Sequence, residues 1–144
     1  MPNICLMIGT TASANKVFDA LTTLNGLNSW WTTHTSGNPD AGGKLEFRFP
    51  TMGPDMEVTQ VTKDHIIWTV TAGIEEWIGT QIHFNIEETD TQTLLYFKHA
   101  DWAEEIPFFH HCSTKWAVFM LSLKQYLETG SGRPFPNDVH IEMS

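Results

Sequence analysis

The segment from Pro107 to Leu127 constrains this chain more than any other. Within it Phe109, Cys112, Trp116, Phe119, Met120, Leu123 and Leu127 recur at steps of three and four, the period of a helix with one apolar stripe. Lys115 and Lys124 fall off that stripe. Pro107 suits a first helical turn, where its missing N–H is no loss, and Gly130 suits a left-handed residue that stops a helix. The implied helix has about 23 residues and is roughly 35 Å long. A helix of that length needs a large apolar surface to lie on, and the chain ahead of it reads as strands.

Ile4 to Ile8 reads as a short strand, and Ser13 as the cap of a helix carrying Val17, Phe18 and Leu21 on its apolar side. A second short helical piece runs through Leu24 and Leu27 to Trp30. Thr32 to Gly43, rich in Thr, Ser, Gly, Asn, Pro and Asp, reads as a loop into a strand at Lys44–Phe49. After a turn at Thr51–Asp55 come two strands, Met56–Thr62 and His65–Thr71, and then a connection from Gly73 to Gly79. In the next strand Ile82, Phe84 and Ile86 alternate with His83, Asn85 and Glu87, and Thr89, Asp90 and Thr91 turn it into Gln92–His99. Five consecutive strands with short turns predict an antiparallel meander.

The expected architecture is α+β. A curved antiparallel six-stranded sheet, one N-terminal strand plus the five-stranded meander, wraps around the long C-terminal helix, and two short helices follow the first strand. The 144 residues suit one domain, with 131–144 as a C-terminal tail. Eight Lys and Arg against seventeen Asp and Glu give a net charge of −9, which argues against nucleic acid or an anionic membrane surface as partner. No stretch is long and apolar enough to span a bilayer and no signal peptide is evident, so a cytoplasmic protein is expected. Cys5 and Cys112 both read as small buried apolar residues rather than a disulfide.

Several short pieces recur in one known arrangement: Val17-Phe18-Asp19-Ala20-Leu21, Trp30-Trp31, Gly42-Gly43 before a strand, Trp77-x-Gly79-Thr80, Thr93-x-Leu95, and Ser122-Leu123-Lys124-x-Tyr126-Leu127-Glu128-x-Gly130. Together they resemble the START/Bet v 1-like helix-grip (SRPBCC) superfamily, in the branch similar to the C-terminal domain of the activator of heat-shock protein 90 ATPase. The resemblance covers nearly the whole chain. It implies the helix-grip fold and an internal cavity, in a superfamily of lipid carriers, hormone receptors, polyketide cyclases and aromatases. It is to that single domain of the activator, so it carries no expectation of chaperone activation.

If the cavity is present, its wall should come from Phe47, Trp68, Phe84, Phe97 and His99 on the sheet and from Trp116, Phe119 and Met120 on the helix, with Trp30, Trp31 and Trp77 at the mouth. Aromatic walls and a flexible Met favour a flat or apolar ligand. Strand alternation puts His99 on the inner face. There it either orients a ligand, acts as general acid/base with Asp101 or Glu104 nearby, or is a buried ring satisfied by the backbone or by Asp101. His110, His111, Cys112, Glu104 and Glu105 superficially suggest a metal, but adjacent helical residues diverge by about 100° and no metal site is expected. Gly-rich phosphate loops and dinucleotide fingerprints are missing, so no cofactor is expected either.

Three readings follow. The first is a binding domain for a small apolar or aromatic molecule, and it is preferred to an enzyme. The second is a cyclase- or hydrolase-like enzyme using His99. The third is an interaction module or homodimer that pairs through an exposed aromatic surface around Trp102 and Phe108.

Overall fold

The computed structural model describes residues 1–49 and 52–141. Among the described residues, seven antiparallel strands form one sheet in the order β1-β7-β6-β5-β4-β3-β2. They are β1 (Ile4–Thr10), β2 (Thr35–Gly37), β3 (Lys44–Phe47), β4 (Asp55–Val61), β5 (His65–Ala72), β6 (Gln81–Glu88) and β7 (Thr93–Ala100). Helices α1 (Ala14–Thr22) and α2 (Leu24–Trp30) follow β1, and α3 (Pro107–Thr129) closes the order. A 3-10 turn at Glu75–Trp77 sits between β5 and β6.

The helix-grip architecture is as expected, and α3 has the predicted start, stripe and stop. Pro107 lies in its first turn, Gly130 ends it at φ 85°, and Phe109, Cys112, Trp116, Phe119, Met120, Leu123 and Leu127 are all buried. Against them lie the inward residues of the sheet: Ile66, Trp68 and Val70 of β5, Ile82, Phe84 and Ile86 of β6, Leu95 and Phe97 of β7. Burying one such side chain contributes roughly 1.5–3 kcal/mol relative to leaving it in water. β4 is irregular, with register shifts at Asp55/Met56 and Val58/Gln60, as expected of a strand bending around a helix.

Four expectations are corrected. The sheet has seven strands rather than six, because Thr35–Gly37, read as loop, pairs with β3. The signal is a side chain on another element: Asn28 of α2 accepts from the Thr35 N–H at 2.9 Å and donates to the Thr35 carbonyl at 3.1 Å, so it acts as a neighbouring strand would. Cys5 is exposed while Cys112 is buried, since alternation along β1 turns Ile4 and Ile8 inward and Cys5 outward. Trp102 is 1% exposed, not part of an open aromatic surface, because it packs against His99 and Phe109 with ring centroids 5.1 Å away in each case. The strand expected to reach Phe49 ends at Phe47. Of the turn expected at Thr51–Asp55, residue 51 lies outside the described residues, as do 142–144 of the tail.

The two short helices are pinned to each other and to α3. The Trp30 indole N–H donates to the Ala20 carbonyl at 2.9 Å, and Ser122 of α3 donates to the Trp30 carbonyl at 2.8 Å. The same Ser122 oxygen accepts from the Arg133 N–H at 2.8 Å and so begins the return of the tail along the helix. Gly26 permits the α1–α2 approach, since a Cβ there would lie 2.6 Å from both the Cα and the carbonyl oxygen of Ala20. Gly26→Ala is expected to lower unfolding free energy by about 1–3 kcal/mol in a denaturant titration, because backbone rather than a flexible side chain must yield.

Candidate functional site

A cavity of about 300 Å³ opens at one end of the grip, at the lower end of the size range of small-molecule pockets. Five parts of the chain build it. From α3 come Phe108, His111, Cys112, Lys115, Trp116 and Phe119, whose spacing of three and one places them along one arc of the helix. The β3–β4 connection gives Phe49, Met52 and Gly53, the β5–β6 connection gives Ile74 and Trp77, and Trp31 caps α2. The tail supplies Phe135, Asp138, His140 and Ile141. It is held there by an exchange of backbone hydrogen bonds, with the Phe135 N–H donating to the Trp31 carbonyl at 2.7 Å and the Thr33 N–H donating to the Phe135 carbonyl at 3.2 Å.

Of the residues expected to form the wall, Trp31, Trp77, Trp116 and Phe119 line this cavity. Trp30, Phe47, Trp68, Phe84, Phe97 and Met120 lie deeper, none more than 2% exposed. Their rings fill the space between sheet and helix: Trp68 to Phe84 at 4.9 Å, Phe84 to Phe97 at 5.6 Å, Phe97 to Trp116 at 4.5 Å. The open volume is therefore at the mouth, not at the centre. Not expected as wall were Phe49, Met52 and Gly53, Ile74, the α3 residues Phe108, His111, Cys112 and Lys115, and the tail residues. The available signal was the apolar character of Phe135, Val139 and Ile141 in an otherwise polar tail, which needs something to dock against.

His99 is fully buried and is not part of the cavity wall. The Trp116 indole N–H donates to its Nδ1 at 3.1 Å, which fixes the ring as the neutral tautomer carrying its proton on Nε2. That N–H donates to Thr80 Oγ1 at 2.8 Å, and the Thr80 hydroxyl donates to the Trp77 carbonyl. Both ring nitrogens are thus engaged by Trp116 and Thr80, while Asp101 is exposed. Burial pushes the His99 pKa down to about 3.

The polar groups on the cavity wall are few. Burial pushes the Cys112 thiol up to about 12, so it stays protonated at neutral pH, and the buried Trp77 indole N–H has no hydrogen-bond partner among the described residues. His111 is held below the usual imidazole range by burial and then by the Lys115 charge. Lys115 pairs with Asp138 of the tail. His110 is exposed, and among the described residues no group of three or more His, Cys, Asp or Glu side chains is placed to hold a metal ion. A wider hollow of about 630 Å³ between α1 and the end of α3 is polar-walled, with Lys16, Asp19, Glu128 and Thr129 among its residues. None of the helices among the described residues is long and apolar enough to cross a membrane.

The buried histidine makes stability pH-dependent in a defined direction. The folded state holds His99 neutral down to about pH 3, whereas the unfolded chain takes up that proton near pH 6.5. The unfolded state therefore gains protons first as pH falls, and stability drops between those values by at most about 1.4 kcal/mol per pH unit. Denaturant titrations from pH 7 to pH 4 are expected to show this slope. His99→Gln, whose amide can still accept from Trp116 and donate to Thr80, is expected to remove the His99 share of it and leave the smaller part due to His111 and His83.

The comparisons with known proteins agree with this architecture. The family model described as "Activator of Hsp90 ATPase homolog 1-like protein" matches residues 11–128. The solution structure of the Aha1 dimer from Colwellia psychrerythraea is 44% identical, with a TM-score of 0.84, over 92% of this chain and 100% of that one. Two more distant structures show the fold alone. The Staphylococcus saprophyticus protein SSP2350 is 18% identical with a TM-score of 0.76, over 92% of this chain and 97% of that one. CalU16 from Micromonospora echinospora is 18% identical with a TM-score of 0.80, over 99% of this chain and 75% of that one. The sequence matches none of the curated proteins with which it was compared. With most of its length matched by one family model and a 44% identical structure superposing along it, the chain belongs to the family of activator of Hsp90 ATPase homolog 1-like proteins.

Proposed function

We propose that the chain is a small-molecule binding domain that holds a flat apolar or aromatic ligand at the open end of the grip. The observation that carries this is the cavity wall itself, where the rings of Trp31, Trp77, Trp116 and Phe119 meet around about 300 Å³ of open volume and the accessible surface is nearly all apolar. Rings presented this way stack on flat ligands, and a pocket of this composition takes its affinity from apolar burial. The engagement of both His99 nitrogens by Trp116 and Thr80 supports binding over acid–base turnover, because a general base needs a free lone pair within reach of substrate.

N-phenyl-1-naphthylamine, a neutral two-ring probe, tests this reading. Its emission is expected to rise, and tryptophan emission to fall, along one saturable curve. Phe119→Ala is expected to weaken binding by about fivefold through the loss of one ring contact. Leu121→Ala, 61% exposed on the opposite side of α3, is expected to leave it unchanged. A probe that shows no saturable binding overturns the reading.

A second reading, self-association, is supported by the relative from Colwellia psychrerythraea, whose structure is that of a dimer. The exposed Met7 and Tyr96, opposite each other on β1 and β7, offer apolar surface beside an edge strand. Sedimentation equilibrium is expected to give twice the monomer mass of 16.3 kDa, and Met7→Glu to shift it toward the monomer.

A further inference from the structure

The apolar cavity contains one charged pair that its walls do not require. Lys115 leaves α3 among aromatic rings, with its ammonium 5.0 Å from the centre of the Phe119 ring and its side chain 21% exposed. Its carboxylate partner is Asp138, a tail residue whose side chain is 1% exposed. The Val139 carbonyl accepts a further hydrogen bond from the ammonium at 3.2 Å. The other carboxylate oxygen of Asp138, Oδ1, has no partner among the described residues. A buried carboxylate with one oxygen unmet is a poor way to fasten a tail, since desolvation offsets much of the attraction.

The pair makes more sense as an occupied anchor. The tail brings to Lys115 a carboxylate flanked by apolar groups: Phe135, whose ring meets Phe49 edge-on at 5.3 Å, and Ile141, which lines the same cavity. That combination has the chemistry of an organic anion with an apolar body. Lys115 is also the one lysine or arginine on the described wall, in a chain whose net charge of −9 would otherwise repel anions.

We propose that Lys115 is the anchor for the acidic group of an amphipathic organic anion, such as an aromatic carboxylate, and that Asp138 occupies this anchor until the ligand displaces the tail. The inference rests on the reading of the cavity as a small-molecule site and names the class of molecule it takes. Tail release is then part of binding: the ligand's acid replaces Asp138 on the ammonium, and its rings replace Phe135 and Ile141 on the walls.

Two probes that share a scaffold separate the charge from the rings. 8-Anilinonaphthalene-1-sulfonate carries an anion, and N-phenyl-1-naphthylamine is its neutral counterpart. Asp138→Asn is expected to tighten the anionic probe about tenfold, as expected when a desolvated ammonium becomes available, with a much smaller change for the neutral one. The double variant Lys115→Met/Asp138→Asn, which leaves no buried charge unpaired, is expected to lose that gain while still binding the neutral probe. Thermal melts of each variant establish that it is folded. If the two probes change in parallel in Asp138→Asn, or if the gain survives in the double variant, the anchor role is overturned and the cavity reading stands. If neither probe binds any folded variant, the cavity reading falls and the anchor with it.

Discussion

The contact on which most of the structure depends is the seat of Trp116. Its ring lies 4.8 Å from Trp31, 4.5 Å from Phe97 and 5.7 Å from Trp77, so one side chain of α3 meets the end of α2, the last strand and the β5–β6 connection. Its N–H donates to a histidine that no water reaches. The helix is thereby fixed against the sheet both in depth, by ring packing, and in rotation about its axis, by one directed hydrogen bond. A sheet curving around a helix without such a polar contact could accept several rotations of the apolar stripe. Buried networks of this kind are effective when every member is satisfied, and His99 and Thr80 both are.

The same residue separates the packed from the open part of the interior. On its inner side, Phe97, Phe84, Trp68 and Phe47 pass contacts from ring to ring across the sheet. On its outer side Trp31, Trp77 and Phe119 line the cavity, and the β3–β4 and β5–β6 connections rather than strands supply the wall that faces the first half of α3. Strands supply a regular floor that large side chains can cover. Loops at the strand ends do not, and the tail forms one wall of the volume left over. The site therefore depends on the segment with the least secondary structure, held by Phe135 on α2 and by Asp138 on α3.

Much of the fold is legible in the residue order because its signals are local. β6 was readable from three alternating apolar residues, α3 from its stripe between Pro107 and Gly130, and α1 from Ser13, whose side chain accepts from the Lys16 N–H. What was not readable depends on partners distant in sequence. Thr35–Gly37 becomes a strand because Asn28 and β3 bracket it, not because Thr, Ser and Gly favour strands. Trp102 is covered because the start of α3 folds over it. His99 could be placed on the inner face by counting along β7, but its two partners lie 17 and 19 residues away in the chain.

The sequence by itself determined the class of the fold, the apolar faces of α3 and β6 and the direction of His99, since periods of 2 and 3.6 are properties of single segments. It also determined that aromatic residues would dominate wherever sheet meets helix. Only the tertiary structure decided which aromatic rings fill the core and which are left to line a cavity. That difference rests on whether a strand or a loop lies opposite. The tertiary structure likewise decided that the tail carries Asp138 to Lys115, a contact spanning 23 residues that no local pattern encodes.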